Sequence, residues 1–129
     1  MRPLTVTAFM DGRPGHEKQT KGILAALAMA TPVDVTFRTV KPGAFFRGLL
    51  DWIRYFGCCL VPVKTSVKSE PIDLVIGTGS YTHVPMLALK KRSGAKLVTC
   101  MSPSFPFIRH MDLCFVPEHD RKQPDKNIF

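Results

Sequence analysis

The sequence lacks the features that mark membrane-spanning, secreted or disulfide-stabilised proteins. None of its uncharged apolar runs approaches the roughly 18 residues that a transmembrane helix requires. The N-terminus has no apolar secretory segment followed by a cleavage site. There are only four cysteines, at positions 58, 59, 100 and 114, and their arrangement does not resemble a disulfide framework. We therefore expect reduced thiols and a cytoplasmic protein without a membrane span.

Acidic residues are also scarce. Eighteen Lys and Arg residues stand against 10 Asp and Glu residues, which gives a formal net charge of +8. This charge favours an anionic partner such as phosphate, nucleic acid or an acidic membrane surface, without choosing among them. A length of 129 residues, with 45% hydrophobic and 22% charged residues, is typical of one globular domain and excludes a disordered chain.

Short apolar segments alternate with segments of helical period along the chain. A helix is predicted after Gly15, because apolar and small residues recur there at helical spacing on one face: Thr20, Ile23, Leu24, Leu27 and Ala28. A second helix is predicted over 83–92, with Thr82 as its N-cap and Gly94 at its end. Strands are predicted at 4–10, 33–38, 72–76, 96–101 and 112–116. This order predicts a three-layer, Rossmann-like α/β domain with a mostly parallel five-stranded sheet. Because an apolar Ile128-Phe129 follows the fifth strand, we expect residues 1–129 to be the N-terminal domain of a larger two-domain protein.

Ligands of such sheets bind beyond the carboxyl ends of the strands, which directs attention to loops 11–16, 77–83, 102–106 and 117–120. The first loop combines glycines, which allow backbone N–H groups to approach an anion, with charged side chains at a helix N-terminus. Its candidate binding residues are Gly12, Arg13 and Gly15. An ordinary strand-to-helix turn is the alternative interpretation.

The second loop has the same arrangement after the third strand. Its candidate phosphate- or sugar-binding residues are Gly77, Gly79, Ser80, Thr82 and His83. Dinucleotide binding is disfavoured because Thr82 replaces the third glycine of that fingerprint and no acid follows the fourth strand. The loop after the fifth strand adds Glu118 and His119 as candidate binding residues.

His16 is the best candidate for proton transfer. Imidazole titrates near neutral pH, and Asp11 is close enough in sequence to orient the ring. A histidine that only caps or packs at a helix start is the alternative. No metal site is expected, because the spacings between Cys100, His110, Cys114 and His119 match no zinc pattern.

Residues 44–56 form a predicted amphipathic helix with a wide aromatic and apolar face that extends from Phe45 to Phe56. Packing against the sheet is the simplest interpretation. Because arginines edge the aromatic face, a peripheral contact with a membrane or a lipid substrate is the alternative. Single-stranded nucleic acid is a less favoured partner.

Several blocks of the sequence resemble the mitochondrial-fission (elongated mitochondria) family of plants and bacteria, whose bacterial members are commonly labelled nucleoside-diphosphate-sugar epimerases. The blocks are 11–19, 73–79, Thr82-His83 and 116–120. More distantly, 12–16 and 76–89 resemble the two glycine-rich loops in the N-terminal domain of the transferase that adds N-acetylglucosamine to a lipid-linked peptidoglycan precursor. That enzyme has the GT-B glycosyltransferase fold, in which two Rossmann-like domains face a cleft.

The resemblance implies an acceptor-side domain that is inactive alone. His16 would stand where a catalytic base is proposed, and Gly12, Gly15, Gly77, Gly79 and Ser80 would line the pyrophosphate of a phosphorylated or lipid-linked acceptor. No cofactor is expected on this domain, since a nucleotide sugar would bind a missing C-terminal domain. If the source is a plant, the resemblance places the protein at the mitochondrial surface. The alternatives are a non-catalytic membrane- or protein-interaction module in organelle or membrane dynamics and, third, a nicotinamide-dependent epimerase.

Overall fold

The computed structural model describes residues 2–40, 71–101 and 107–116, together with Ile53. These residues contain a five-stranded sheet in which every neighbouring pair is parallel. The strands are β1 (Leu4–Met10), β2 (Val33–Thr39), β3 (Leu74–Thr78), β4 (Lys96–Cys100) and β5 (Leu113–Phe115). Their order across the sheet is β2-β1-β3-β4-β5. The predicted α/β fold with a parallel five-stranded sheet is confirmed.

Two α-helices connect strands within the described part of the chain. Helix α1 (Pro14–Ala30) links β1 to β2, and its start is favoured by a proline in the first turn, where no N–H is needed. Helix α2 (His83–Ser93) links β3 to β4 and ends at Gly94, whose left-handed φ of 72° serves as the C-cap. Single-turn 3₁₀ helices, Ser80–Thr82 and Phe107–His110, precede α2 and β5.

The two helices cover opposite faces of the sheet. Side chains alternate between the faces along each strand, so that neighbours such as Val75 and Ile76 enter different cores. Ile76 and Val98 pack in one cluster with Leu24 of α1, whereas Val75 and Leu97 pack in the other with Met86 of α2. The described residues therefore form three layers, as predicted.

Some predicted boundaries are wrong, for physical reasons. The third strand is shifted by two residues relative to 72–76, because Gly77 pairs with Phe9 and continues the ladder through Thr78. A Cβ at Gly77 would lie 2.8 Å from Met86 Sδ, so this glycine permits close helix packing rather than ending the strand. The predicted loop 11–16 is shorter than expected, since α1 already begins at Pro14.

The strand order places the topological switch point between β1 and β3. From β1 the chain crosses to β2 on one side, and from β3 it crosses to β4 on the other. In parallel sheets the loops that leave these two strands diverge and open a crevice between them. Within the described part of the chain, no helix is long and apolar enough to cross a membrane.

Candidate functional site

The two glycine-containing loops meet at the switch point, where Asp11 and His16 form a close pair. Asp11 follows the last residue of β1, and His16 lies in the first turn of α1. Asp11 Oδ2 is 2.6 Å from His16 Nδ1. The Asp11 side chain is fully buried, whereas the His16 side chain keeps 17% of its surface exposed. The predicted neighbourhood of these two residues is present in the fold.

The hydrogen bond determines which nitrogen of His16 can act as a base. Because an ionised carboxylate only accepts hydrogen bonds, this contact requires the proton on Nδ1 of His16, which then donates a hydrogen bond to Asp11 Oδ2. In the neutral ring the other nitrogen, Nε2, is then an acceptor. A buried carboxylate that orients imidazole in this tautomer is the arrangement that general-base catalysis uses.

The orientation of Asp11 is fixed by the backbone as well. Its second oxygen, Oδ1, accepts a hydrogen bond from the backbone N–H of Arg13 at 3.0 Å. Gly12, between them, has a φ of 82°, a conformation that favours glycine. The turn therefore returns the chain over the carboxylate and leads directly into α1.

Gly79 of the second loop lies against this pair. Its φ is 102°, and a Cβ built on it would lie 2.5 Å from Asp11 Oδ2 and 2.6 Å from His16 Nδ1. Any side chain at this position would occupy the place of the Asp11–His16 hydrogen bond. Because Gly79 has no side chain, the second loop can pack closely over the Asp11–His16 pair.

The rest of the second loop fixes the position of Gly79. The hydroxyl of Thr82 donates to the carbonyl oxygen of Gly79 at 2.7 Å, and the backbone N–H of Thr82 donates to the same oxygen at 3.1 Å. Thr82 is the N-cap residue of α2, as predicted, but it makes no side-chain capping hydrogen bond within the described residues. Its buried side chain shapes the loop instead.

The N-terminus of α1 offers hydrogen-bond donors beside the pair. The first N–H groups of a helix have no acceptor within it, and here Pro14 contributes none, which leaves those of Gly15 and His16. The N-cap Arg13 makes no side-chain capping hydrogen bond in the described part of the chain. A Cβ at Gly15 would meet no described atom within 4 Å. Among the described residues the space on the Cβ side of Gly15 is thus open, and the positive end of the helix favours an anion at this terminus.

Two side-chain contacts across the switch point were not expected from the sequence. The guanidinium Cζ of Arg13 lies 5.5 Å from the centroid of the Tyr81 ring, which is within cation–π range. Below the pair, the hydroxyls of Thr20 and Thr78 are 2.9 Å apart and buried. For the contact between Arg13 and Tyr81, the sequence signal is an arginine in the first loop and an aromatic residue in the second loop.

His83 lies on the buried side of the second loop. It is 4% exposed, and its ring is tilted against Phe107 with the ring centroids 5.4 Å apart. Burial lowers the pKa of His83 to about 4, so the ring is neutral at physiological pH. Among the described residues, His83 Nδ1 has no hydrogen-bond partner. A ligand-binding role for His83 stays a prediction.

The thiol of Cys100 lies at the buried end of β4. Burial raises the pKa of Cys100, and a hydrogen bond with Thr78 opposes this only in part. The side chains of Cys100 and Cys114 are both buried. In residues 2–40, 71–101 and 107–116, no group of three His, Cys, Asp or Glu residues is placed to hold a metal ion.

Some predicted site residues lie outside the part of the chain that the structure describes, and the others have defined positions in the fold. Glu118 and His119 lie outside the described residues, as does the predicted helix from Phe45 to Phe56 apart from Ile53. Ser80 begins the 3₁₀ turn that precedes α2. Of the remaining candidates, the structure brings Asp11, Arg13, His16 and Gly79 together, with Gly12 and Gly15 in the same turn.

Comparison with known protein families gives one match. The family described as mitochondrial fission ELM1 matches residues 14–129, which include α1 and every described element after it. Neither the curated proteins nor the solved structures yielded a match.

Proposed function

The chain belongs to the mitochondrial fission ELM1 family, and from that premise we propose that it is the acceptor-side domain of a GT-B-like, sugar-nucleotide-related protein. In this proposal the crevice between β1 and β3 binds a phosphorylated or lipid-linked acceptor. The observation that carries the proposal is the buried Asp11 carboxylate, hydrogen-bonded to a partly exposed His16 at the switch point of a parallel sheet.

His16 supplies the proton chemistry. Its Nε2 takes the proton from an acceptor hydroxyl while the oxygen forms a bond to the anomeric carbon of a nucleotide sugar. The bond from that carbon to the diphosphate breaks, and the nucleoside diphosphate leaves with its electron pair. Asp11 touches no substrate, but it holds the tautomer and stabilises the imidazolium that forms.

The phosphate of the acceptor binds at the start of α1. The amides of Gly15 and His16 have no acceptor within the helix, and together with the positive end of the helix they favour an anion there. Arg13 adds a guanidinium on the same turn, which can bind two phosphate oxygens at once. The net charge of +8 assists the approach of such a ligand.

The remaining parts of the proposal concern what this domain does not supply. The nucleotide sugar binds a second, C-terminal domain, so these 129 residues bind no cofactor and are inactive alone. The domain is cytoplasmic and reaches a membrane only peripherally, at the mitochondrial surface if the source is a plant. The residues from Phe45 to Phe56 would provide that contact. Nucleic acid is not the ligand.

The proposal is tested by titrating the chain with inorganic pyrophosphate and, separately, with farnesyl diphosphate in a calorimeter. We expect saturable binding of both, weakened about tenfold in Arg13→Gln, because a charge-assisted hydrogen bond is lost. The matched control is Lys21→Gln, which removes the same charge from an exposed position of the same helix.

The control separates a built site from general attraction to a basic protein. Lys21→Gln should bind both ligands as the unchanged chain does. If it weakens binding as much as Arg13→Gln, or if neither diphosphate binds, the acceptor site is not at the start of α1 and the proposal is wrong.

A further inference from the structure

The contact between Arg13 and Tyr81 joins the two loops across the crevice. Arg13 precedes α1, whereas Tyr81 lies in the 3₁₀ turn after β3. Arg13 is exposed and Tyr81 is partly buried, with the guanidinium 5.5 Å from the ring centroid. An exposed arginine otherwise loses much rotamer freedom when it binds a ligand. A ring beneath it reduces that loss in advance.

Both ends of this contact are anchored on the Asp11–His16 pair. The backbone N–H of Arg13 donates to Asp11 Oδ1. Tyr81 lies in a turn closed by the hydrogen bonds of Thr82 to the carbonyl oxygen of Gly79, the glycine that packs on the same pair. The backbones of Arg13 and Tyr81 are therefore both tied to the Asp11–His16 pair, on loops that leave the neighbouring strands β1 and β3.

A guanidinium that stacks on an aromatic ring uses its flat face. Its N–H groups point outward from the edge, in the plane of the group, and remain able to bind two oxygens of a phosphate. A cation–π contact with Tyr81 and the binding of an anion are therefore compatible, and lysine, which has no planar group, would not combine them in this way.

We propose that Tyr81 is a positioning residue that holds the guanidinium of Arg13 at the mouth of the crevice, ready to bind a phosphate group beside His16. This inference rests on the proposed function, since it names the residue that prepares the anion-binding side of the same site. Tyr81 acts through Arg13 and not on the ligand, and the aromatic face is the part of the side chain that is required.

The test uses calorimetric titration of inorganic pyrophosphate into the chain with Tyr81→Phe, Tyr81→Leu, Arg13→Gln and the double variant Arg13→Gln/Tyr81→Leu. Tyr81→Phe keeps the aromatic face, so its Kd should stay within about twofold of the unchanged chain. Tyr81→Leu should weaken binding about three- to fivefold, the usual size of an exposed cation–π contact. The double variant should bind no more weakly than Arg13→Gln alone.

The outcomes separate this inference from the proposed function. If the unchanged chain binds pyrophosphate but Tyr81→Leu binds it equally well, the inference is wrong and the proposed function stands. The inference is also wrong if the losses in Tyr81→Leu and Arg13→Gln add independently, or if Tyr81→Phe loses as much as Tyr81→Leu. No binding by the unchanged chain overturns both. A urea unfolding curve for each variant checks that a loss of pyrophosphate affinity is not caused by unfolding.

Discussion

Replacing Gly79 with alanine should be among the most damaging single-methyl changes in the described structure. The new Cβ would lie 2.5 Å from Asp11 Oδ2 and 2.6 Å from His16 Nδ1. Asp11 cannot retreat easily, because its side chain is buried and hydrogen-bonded to the backbone of Arg13. At a φ of 102° the alanine would also be strained by its own backbone conformation.

The size of the effect follows from these two terms. A left-handed backbone costs a non-glycine residue about 1–2 kcal/mol. Forcing a methyl group into a filled space costs about 1–3 kcal/mol more. We therefore expect Gly79→Ala to lower the free energy of unfolding by about 2–5 kcal/mol, a large part of the stability of an ordinary domain.

Gly94 provides the matched control. Its φ of 72° is also left-handed, but a Cβ there would meet no described atom within 4 Å. Gly94→Ala should cost only the backbone term, about 1–2 kcal/mol. Gly15→Ala, with open space and helical backbone, should change stability by less than about 1 kcal/mol in the stabilising direction.

Urea denaturation followed by circular dichroism measures all three variants against the unchanged chain. We expect the order Gly79→Ala, Gly94→Ala, Gly15→Ala from most to least destabilised. A Gly79→Ala variant that is no less stable than Gly94→Ala would refute the close packing of the second loop on the Asp11–His16 pair.

Two further predictions concern buried polar groups. His83 has a pKa of about 4 in the folded chain against an ordinary 6.5, so the unfolded chain binds more protons between these values. The free energy of unfolding should therefore fall by about 3 kcal/mol as the pH drops from 6.5 to 4. Urea curves of His83→Phe should show a shallower dependence of this free energy on pH. The same pH dependence in His83→Phe as in the unchanged chain would contradict the prediction. Thr78→Val leaves the buried hydroxyl of Thr20 without that hydrogen bond and should cost about 1–2 kcal/mol. The double variant Thr20→Val/Thr78→Val should lose less than the sum of the single changes in the same assay, and strict additivity would show that the two hydroxyls are not coupled.

The fold could be predicted from the sequence where one local signal dominates. Val33 begins β2 directly after the helix-ending Pro32, and Gly94 ends α2, because proline and glycine impose their backbone angles without tertiary help. β1 was predicted with its observed bounds, since a β-branched run there ends at a polar turn. In each case the deciding interaction is between neighbouring residues.

Errors arose where packing decides the outcome. The sequence pattern predicts Gly77 as the first residue of a loop, whereas it pairs with Phe9 in the sheet and packs closely against Met86. On α1, Thr20 and Leu24 are buried as expected, but Ala28 is exposed. At 100° per residue Ala28 lies about 80° from Thr20, at the margin of the apolar face. The margin of a face depends on the shape of the sheet beneath it.

The candidate site could be predicted only in part. Asp11 and His16 are five residues apart on one strand-to-helix turn, so their contact is a local matter. That Gly79 packs on them, and that Tyr81 meets Arg13, depends on β1 and β3 being neighbours. Sequence periodicity does not reveal the order of strands in a sheet, so these two relationships required the tertiary structure.

In the proposed function, Asp11 holds His16 with the proton on Nδ1 and leaves Nε2 as the base. Long-range ¹H–¹⁵N NMR correlations of the histidine rings at neutral pH report the tautomer directly, with His16→Ala to assign the signal. We predict the Nδ1–H tautomer in the unchanged chain and the Nε2–H tautomer in Asp11→Asn, whose amide would donate to Nδ1. An Nε2–H ring in the unchanged chain would contradict the proposed role of His16.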